Sequence, residues 1–560
     1  MRTFVLQALI LLTAFSLGKA APGFESISPA GGKVGTSFVA KVAGKGLDKG
    51  APQGWCSNPG VKITPAPGAK PGSGLWSIEI AKDAAPGACL VRFHSDDGST
   101  PPRIFEVGTL EEVAETEPND AFKEVKAAAE LAGGASPALQ PRMNATFNGV
   151  LAKEGDADTH ALRVQKGRAI TLELHGYALG SSMDPAMRLL DARGVELAAS
   201  HDTHNLDPLI RHVPAADGVL YVQVFAFVHP PQADIAYKGT ANHVYRLHVT
   251  DSGQASPAPG AAAAASASPL TTPITLVGSI ATPEAENTHL LTVKKGDDLR
   301  VTVRAKAIRS PLEATLRIES AEGKMLVQND DGESISSGNS ATALDPALRW
   351  KAPADGTYKL IIGDRFQNGT ADHHYELSVQ VWKPTVAAAL DAHAYRLEPG
   401  KIEGIKITVK FDGTYPEKLR AHVAGLPPGV VAEDVDVPAK GGEVNLPLKA
   451  AADAAPAQVP LTIELVPVAA PTPGPPADLE TEAKDKSALA GKEKKAAEAS
   501  ASTPAAAPAS TGPVAMATYA IPFTELRGDL LIVTDTRPWL TVPKGGAKPE
   551  AKPPKDKAVK

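Results

Sequence analysis

Residues 149–174 read GVLAKEGDADTHALRVQKGRAITLEL, and residues 278–303 read GSIATPEAENTHLLTVKKGDDLRVTV. At a constant offset of 129 positions, Thr159-His160 falls on Thr288-His289 and Lys166-Gly167 on Lys295-Gly296. The correspondence resumes after a change of length: LDPLIRHVPAADG at 206–218 answers LDPALRWKAPADG at 344–356, and HVYRLHV at 243–249 answers HHYELSV at 373–379. Within each copy apolar and polar residues alternate over short runs, and Gly, Pro and Asp break the runs. That is the pattern of half-buried strands joined by turns. Each copy has the size of one sandwich, so two copies need no stacking to be stable, unlike short solenoid repeats.

The same alternation continues outside the repeat, in SFVAKVAG at 37–44 and GIKITVKF at 404–411. Helical periodicity is scarce. DAFKEVKAAAELA at 120–132 predicts one short helix, and the Ala/Lys/Glu stretch near 480–500 is helical only by composition. A chain of 560 residues has room for about three to five domains. Composition places the boundaries: 251–272 and 469–513 are rich in Ala and Pro and bury almost nothing, so they read as a linker and a disordered insertion. The tail 544–560 carries six lysines against two acids and reads as a solubilising, disordered end.

The first 20 residues follow the layout of a secretory signal peptide, with Arg2, an apolar run from Phe4 to Leu17 and small residues at Gly18 and Ala20. The run is too short for a membrane anchor, and no later segment is long and apolar enough to span a bilayer. The expectation is an exported protein of the periplasm, cell surface or extracellular space, with no transmembrane segment after signal removal. In that compartment the two cysteines, Cys56 and Cys89, 33 residues apart, are most simply a structural disulfide. A net charge of −6 leaves no polycationic footprint and sets nucleic acid aside as a partner.

The order of EPND at 117–120, GDAD at 155–158, a Lys-Gly turn before a strand, an Ala-x-Asp-Gly-x-Tyr-like turn and a final Tyr-x-Leu-x-Val strand resembles the bacterial pre-peptidase C-terminal (PPC) domain. That family is similar to the collagen-binding domains of clostridial collagenases. The resemblance covers roughly 115–250 and again 273–381, and implies a jelly-roll-like β-sandwich serving as a non-catalytic binding or accessory module. Residues 24–47 and 75–93 resemble an IPT/TIG-type immunoglobulin-like domain. Residues 395–432 and 444–465 resemble the immunoglobulin-like domains that often follow PPC units. The strand-like YAIPFTEL at 519–526 and DLLIVTD at 529–535 are placed to complete that last sandwich. The expected architecture is all-β: a multidomain string of β-sandwiches, immunoglobulin-like and jelly-roll-like, with disordered Ala/Pro-rich linkers. Its parts are the signal peptide 1–20, an IPT/TIG-like domain 21–108, a first PPC-like sandwich 112–250, the linker 251–272, a second PPC-like sandwich 273–382, and an immunoglobulin-like domain formed by 383–468 and 514–543.

One acidic stretch precedes the first copy. In ETEPND an extended backbone turns Glu115 and Glu117 to one side, and Pro118 favours that conformation for Glu117. Asn119 and Asp120 add oxygens, and Asp156 and Asp158 supply a second acidic pair in the loop entering the first strong strand. Such a crowd of like charges is tolerable around a cation, and Ca²⁺ takes six to eight oxygen ligands. The resemblance implies that Glu115, Glu117, Asn119, Asp120 and Asp158 are calcium ligands. The alternative is an acidic linker whose EPND caps the helix beginning near Ala121. The second copy has no such stretch before Val277, and Glu286 and Asn287 stand in the loop where the first has Asp-Ala-Asp, so calcium is expected in the first copy only.

The stretch 201–212 brings His201, Asp202, His204, Asp207 and His212 into one loop, either a transition-metal site or, more simply, polar surface. The second copy keeps its Leu-Asp-Pro and drops the histidines. Asn329, Asp330, Asp331 and Glu333 read as an acidic turn. No HExxH, nucleophile-elbow, P-loop or dinucleotide motif is present. The sequence therefore predicts a non-catalytic binding or adhesion protein whose partner is an extracellular or envelope protein or a polysaccharide. The alternatives are a structural spacer of the cell envelope, or the accessory chain of a secreted protease or hydrolase.

Overall fold

A computed structural model describes residues 21–49, 51–130, 140–201, 203, 207–227, 237–251, 269–308, 310–330, 332, 345–370, 372–468, 514–521 and 534–544. Residues 1–20, read above as a signal peptide, most of the 251–272 stretch, 469–513 and nearly all of the Lys/Pro-rich tail lie outside the described residues. What is described is all-β and multidomain. Among the described residues the one α-helix is Phe122–Glu130, inside the stretch whose periodicity predicts it. Among the described residues no helix is long and apolar enough to cross a membrane.

The strands sort into four successive modules. Module 1, residues 26–108, faces a four-stranded sheet against a five-stranded one. Cys56, at the end of strand Gln53–Cys56, and Cys89, in strand Gly87–Ser95, lie on neighbouring strands of the second sheet. Both are free thiols with their Sγ atoms 3.4 Å apart. Modules 2 and 3 contain the sequence repeat and share one topology. In module 2 the strand Ala157–Val164 pairs antiparallel with Gly218–Phe227, which pairs with Asp184–Leu190. In module 3 Glu286–Val293, Gly356–Asp364 and Ala314–Glu319 repeat that order. The opposing sheets repeat as well: Ala145–Val150, Val244–Asp251 and Ile170–His175 answer Ile274–Ser279, His374–Val381 and Asp298–Arg304. Alternate residues of these strands fill one core per copy, with Phe147, Leu162, Leu172, Val222 and Leu247 in the first and Leu291, Val301, Leu360 and Leu377 in the second. A period of two is what carries every second side chain inward.

Among the described residues, module 2 has one strand without a counterpart in module 3. Glu111–Ala114 adds in parallel to Ala145–Val150, with Ala114 opposite Asn148, and so sets the chain entering ETEPND along the edge of the sandwich.

Module 4 runs from Thr385 to Val542 around the insertion. Its return strand is Ala515–Ala520, earlier than the 519–526 stretch read from the sequence, and it pairs with Thr385–Leu390 and Thr462–Pro467. Of the predicted 529–535 strand, Thr534–Asp535 pairs with Ala515–Ala520, and the rest lies outside the described residues. A further strand, Trp539–Val542, closes a three-stranded sheet with Ala394–Arg396 and Ala457–Pro460. It follows a Pro and is only four residues long, so alternation in the sequence does not reveal it.

Candidate functional site

The edge strand Glu111–Ala114 delivers ETEPND to the loop that enters strand Ala157–Val164. Glu115 N–H donates to Asn148 O (3.0 Å), and Val150 N–H donates to Glu115 Oε1 (2.9 Å). Thr159 N–H then donates to Asn119 O (3.0 Å), and Gln223 Nε2 donates to Asp120 O (3.1 Å). Asp120 Oδ1 accepts from Ala157 N–H (3.4 Å). These main-chain tethers stitch the acidic stretch onto the GDAD loop. The helix starts two residues later, and Asp120 is turned toward residues 153–157 and away from the first helical amides, unlike an N-cap.

The result is a convergence of oxygens. Glu117, Asp120, Asp156 and Asp158 each present a carboxylate oxygen, and the four lie within 4.8 Å of one another. Oxygens bound at the usual calcium distances around a single ion stand up to about 5 Å apart, so the spacing fits. Asp156 and Asp158 are completely buried, and Asn119 nearly so. Four buried acceptors here have no hydrogen-bond donor: Glu115 Oε2, Asn119 Oδ1, Asp156 Oδ1 and Asp158 Oδ1. A buried acceptor left without a donor costs about 1–3 kcal/mol. Lys153, mostly exposed, reaches Asp120 (3.3 Å) and Asp156 (3.7 Å) and offsets part of the charge. Burial, and then the charge of Asp158, pushes Glu115 up to about 10. Burial also pushes Asp158 up to about 6 and raises Asp156. Without a cation the cluster holds protons; a cation among Glu117, Asp120, Asp156 and Asp158 would offset their charge. The donor set is all oxygen, which suits a hard divalent cation and not a soft metal. Of the six sequence-predicted site residues, Glu117, Asp120, Asp156 and Asp158 meet at one place; Glu115 faces Asp158 beside them, and Asn119 is fixed to the same loop through its main chain.

Two participants escape the sequence reading. Tyr245 Oη donates to Asp158 Oδ2 (2.6 Å) and is itself bonded to His160 Nε2 (2.8 Å), linking the cluster to the core. The recurrence of Tyr245 at Tyr375 in the repeat is the signal that marks it. Gln223 holds the acidic stretch through Asp120 O and also bonds Thr159 Oγ1 (3.1 Å) and Arg188 (2.5 Å). The equivalent strand position in module 3 is Ile361, so there the repeat gives a contrast instead of a match.

The second copy satisfies itself. Asn287, at the position of Asp158, donates through Nδ2 to Ser279 O (2.9 Å) and Tyr375 Oη (2.9 Å). Ala285 replaces Asp156, and Glu286 pairs with Arg317 on both oxygens.

The other residue groups singled out in the sequence are described only in part. Asp202, His204, Asp331 and Glu333 lie outside the described residues. Asp207 accepts from the main-chain amides of Gly176, Tyr177 and Ala178 (2.8–2.9 Å), capping a turn, so it is engaged in structure and not in metal binding. Among the described residues no metal-ligating group forms around His201 or His212. Asp330 pairs with Arg365 (3.0 Å). A separate acid–histidine group, Glu106, His175 and His248, lies where module 1 meets module 2. There Glu106 is bonded to His175 (2.6 Å), His248 (3.2 Å) and Arg246 (3.1 Å), so its oxygens are already partnered within the protein. Those bonds hold Glu106 well below the usual carboxylate range against the opposing effect of burial.

No family model matches the chain, and no curated protein matches it. Among solved structures it is similar to the pre-peptidase C-terminal domain of a collagenase from Bacillus anthracis, at 14% identity over 20% of this chain and 91% of that one, with a TM-score of 0.15. It is also similar to the N-terminal four immunoglobulin domains of Dscam1, at 11% identity over 80% of this chain and 96% of that one, with a TM-score of 0.19. A third likeness is to the alpha-2-macroglobulin of E. coli, at 12% identity over 80% of this chain and 28% of that one, with a TM-score of 0.13. These scores are too low to argue from, and the all-β architecture rests on the strand pairing itself.

Proposed function

We propose that the chain is an exported, non-catalytic binding or adhesion protein whose first PPC-like module takes up Ca²⁺ through Glu115, Glu117, Asn119, Asp120, Asp156 and Asp158. The observation that carries the calcium reading is the set of four buried, donorless acceptors gathered on one loop pair. A bound ion would neutralise the cluster and join the edge segment 115–120 to the 155–158 loop, fixing the entrance of the module. The partner proposed is an extracellular or envelope protein or a polysaccharide. In the exported compartment Cys56 and Cys89 would close as a disulfide, since strand pairing already places the thiols side by side. Thiol titration of the unfolded, unreduced protein checks this, and two reactive thiols would refute it.

The calcium proposal is tested by titrating Ca²⁺ into metal-free full-length protein by calorimetry. One site is expected, lost in Asp158→Ala and in Asp156→Ala and kept in Asn287→Ala. Absence of binding at millimolar calcium, or binding indifferent to both aspartate variants, refutes it.

A further inference from the structure

Arg92, in strand Gly87–Ser95 of module 1, is completely buried, yet its hydrogen bonds leave its own module. Nη2 donates to Tyr519 Oη (2.5 Å) and to Arg537 O (3.3 Å), and Nη1 donates to His393 O (3.5 Å), all in module 4. Asp535 supplies the counter-charge 3.7 Å away and also accepts from Tyr519 Oη (2.9 Å). Aromatic rings enclose this pair. Trp539 of module 4 is buried edge-on against Trp55 (5.5 Å between centroids) and beside His94 (4.7 Å), both of module 1. The Arg92 guanidinium lies 5.3 Å from the Trp539 ring and 5.6 Å from that of Trp55. At the rim Gln458 Nε2 donates to Ser95 O (2.9 Å), and Arg396 donates to Asp96 O.

An aromatic-lined, desolvated arginine ringed by polar contacts is the anatomy of a stable interface. The neighbouring repeats differ: between modules 2 and 3 the ion pair is Arg211 with Asp372 at 3.4 Å, both well exposed, and such a pair contributes little. We propose that the first and last modules form an interface that holds without the covalent path between them. The partner of the Trp55/Arg92/His94 face is the Tyr519/Asp535/Trp539 face of the same chain, and the closed chain presents its two PPC-like modules from a fixed base.

The test uses the full chain with a protease site inserted in the 252–268 linker. After cutting, the two pieces should elute together in gel filtration at the volume of uncut protein, down to micromolar concentration. Arg92→Ala should separate them, while Arg211→Ala should not. Should Arg92→Ala fail to fold, Tyr519→Phe removes the hydrogen bond from Arg92 across the interface, together with the one to Asp535 within module 4, and is expected to raise the dissociation midpoint several-fold. Separation of the wild-type pieces at micromolar concentration overturns the proposal. So does a particle of doubled mass whose pieces exchange with a tagged copy, since that would place the interface between chains.

Discussion

Modules 2 and 3 share strand order, register and core, and differ in how one strand entrance is satisfied. Both bury a histidine against a tyrosine, His160 with Tyr245 and His289 with Tyr375, each at 2.8 Å. Both cap a turn with the aspartate of Leu-Asp-Pro. Beyond that, module 3 places an amide at position 287 that bonds its neighbours directly, whereas module 2 places carboxylates that can bond one another only by holding protons. The fold evidently does not require the acids, so their cost points to a ligand.

The largest effect should fall on what the copies share. Asp207 and Asp345 each accept three main-chain amides, the latter from Ala305, Lys306 and Ala307. Each orphaned amide costs about 1–3 kcal/mol, so Asp207→Ala and Asp345→Ala should each destabilise their own module by about 3 kcal/mol or more. Native-state hydrogen exchange on the full chain reads the modules separately. Strongly unequal losses would break the equivalence of the two copies.

Calcium should divide them. A ligand bound only by the folded state adds about 2.7 kcal/mol when present at 100 times its Kd. Exchange in strand Ala157–Val164 should slow accordingly on adding Ca²⁺, and exchange in Glu286–Val293 should not change. Equal slowing in both strands would remove the distinction on which the proposed site rests.

Much of this was legible beforehand because it is local. Alternation with a period of two gives strands, duplication gives the module, and ETEPND with GDAD gives the acidic groups. The chain does not advertise contacts made across long separations. Arg92 reads as an ordinary strand residue until Tyr519 and Asp535 arrive from the far end. Gln223 reads as one polar position in an apolar run, although its amide fixes Asp120 from 103 residues away. The role of Leu-Asp-Pro was hidden by its histidine neighbours, which drew attention to metal chemistry when the aspartate was capping a turn.

Grafting the answer of module 3 onto module 2 gives a smaller effect of opposite sign. Asp158→Asn should stabilise the calcium-free protein by about 1 kcal/mol, because it removes a buried charge facing Glu115 and supplies a donor, as Asn287 does. The same variant should no longer respond to calcium. A loss of stability in the calcium-free state would mean that Tyr245 and Asp158 form a structural bond the module needs.

Their response to acid also separates the copies without mutation. Burial lowers His160 to about 3 and lowers His289. A histidine with a depressed folded pKa contributes stability above its unfolded value near 6.5 and loses it as pH falls, so both modules should weaken from pH 7 to 5. Module 2 has an opposing contribution. Asp158, raised to about 6, and Glu115, raised to about 10, bind protons more tightly folded than unfolded, so their contribution grows as pH falls. Without calcium, module 2 should therefore lose less protection than module 3 over this range. With calcium bound the sign reverses, because the ion requires the carboxylates ionised and protons compete with it. Exchange rates of both strands at pH 7 and 5, corrected for intrinsic chemistry and taken with and without calcium, show whether the two copies cross over. Parallel behaviour under all four conditions would mean that the acidic cluster is not coupled to the stability of its module.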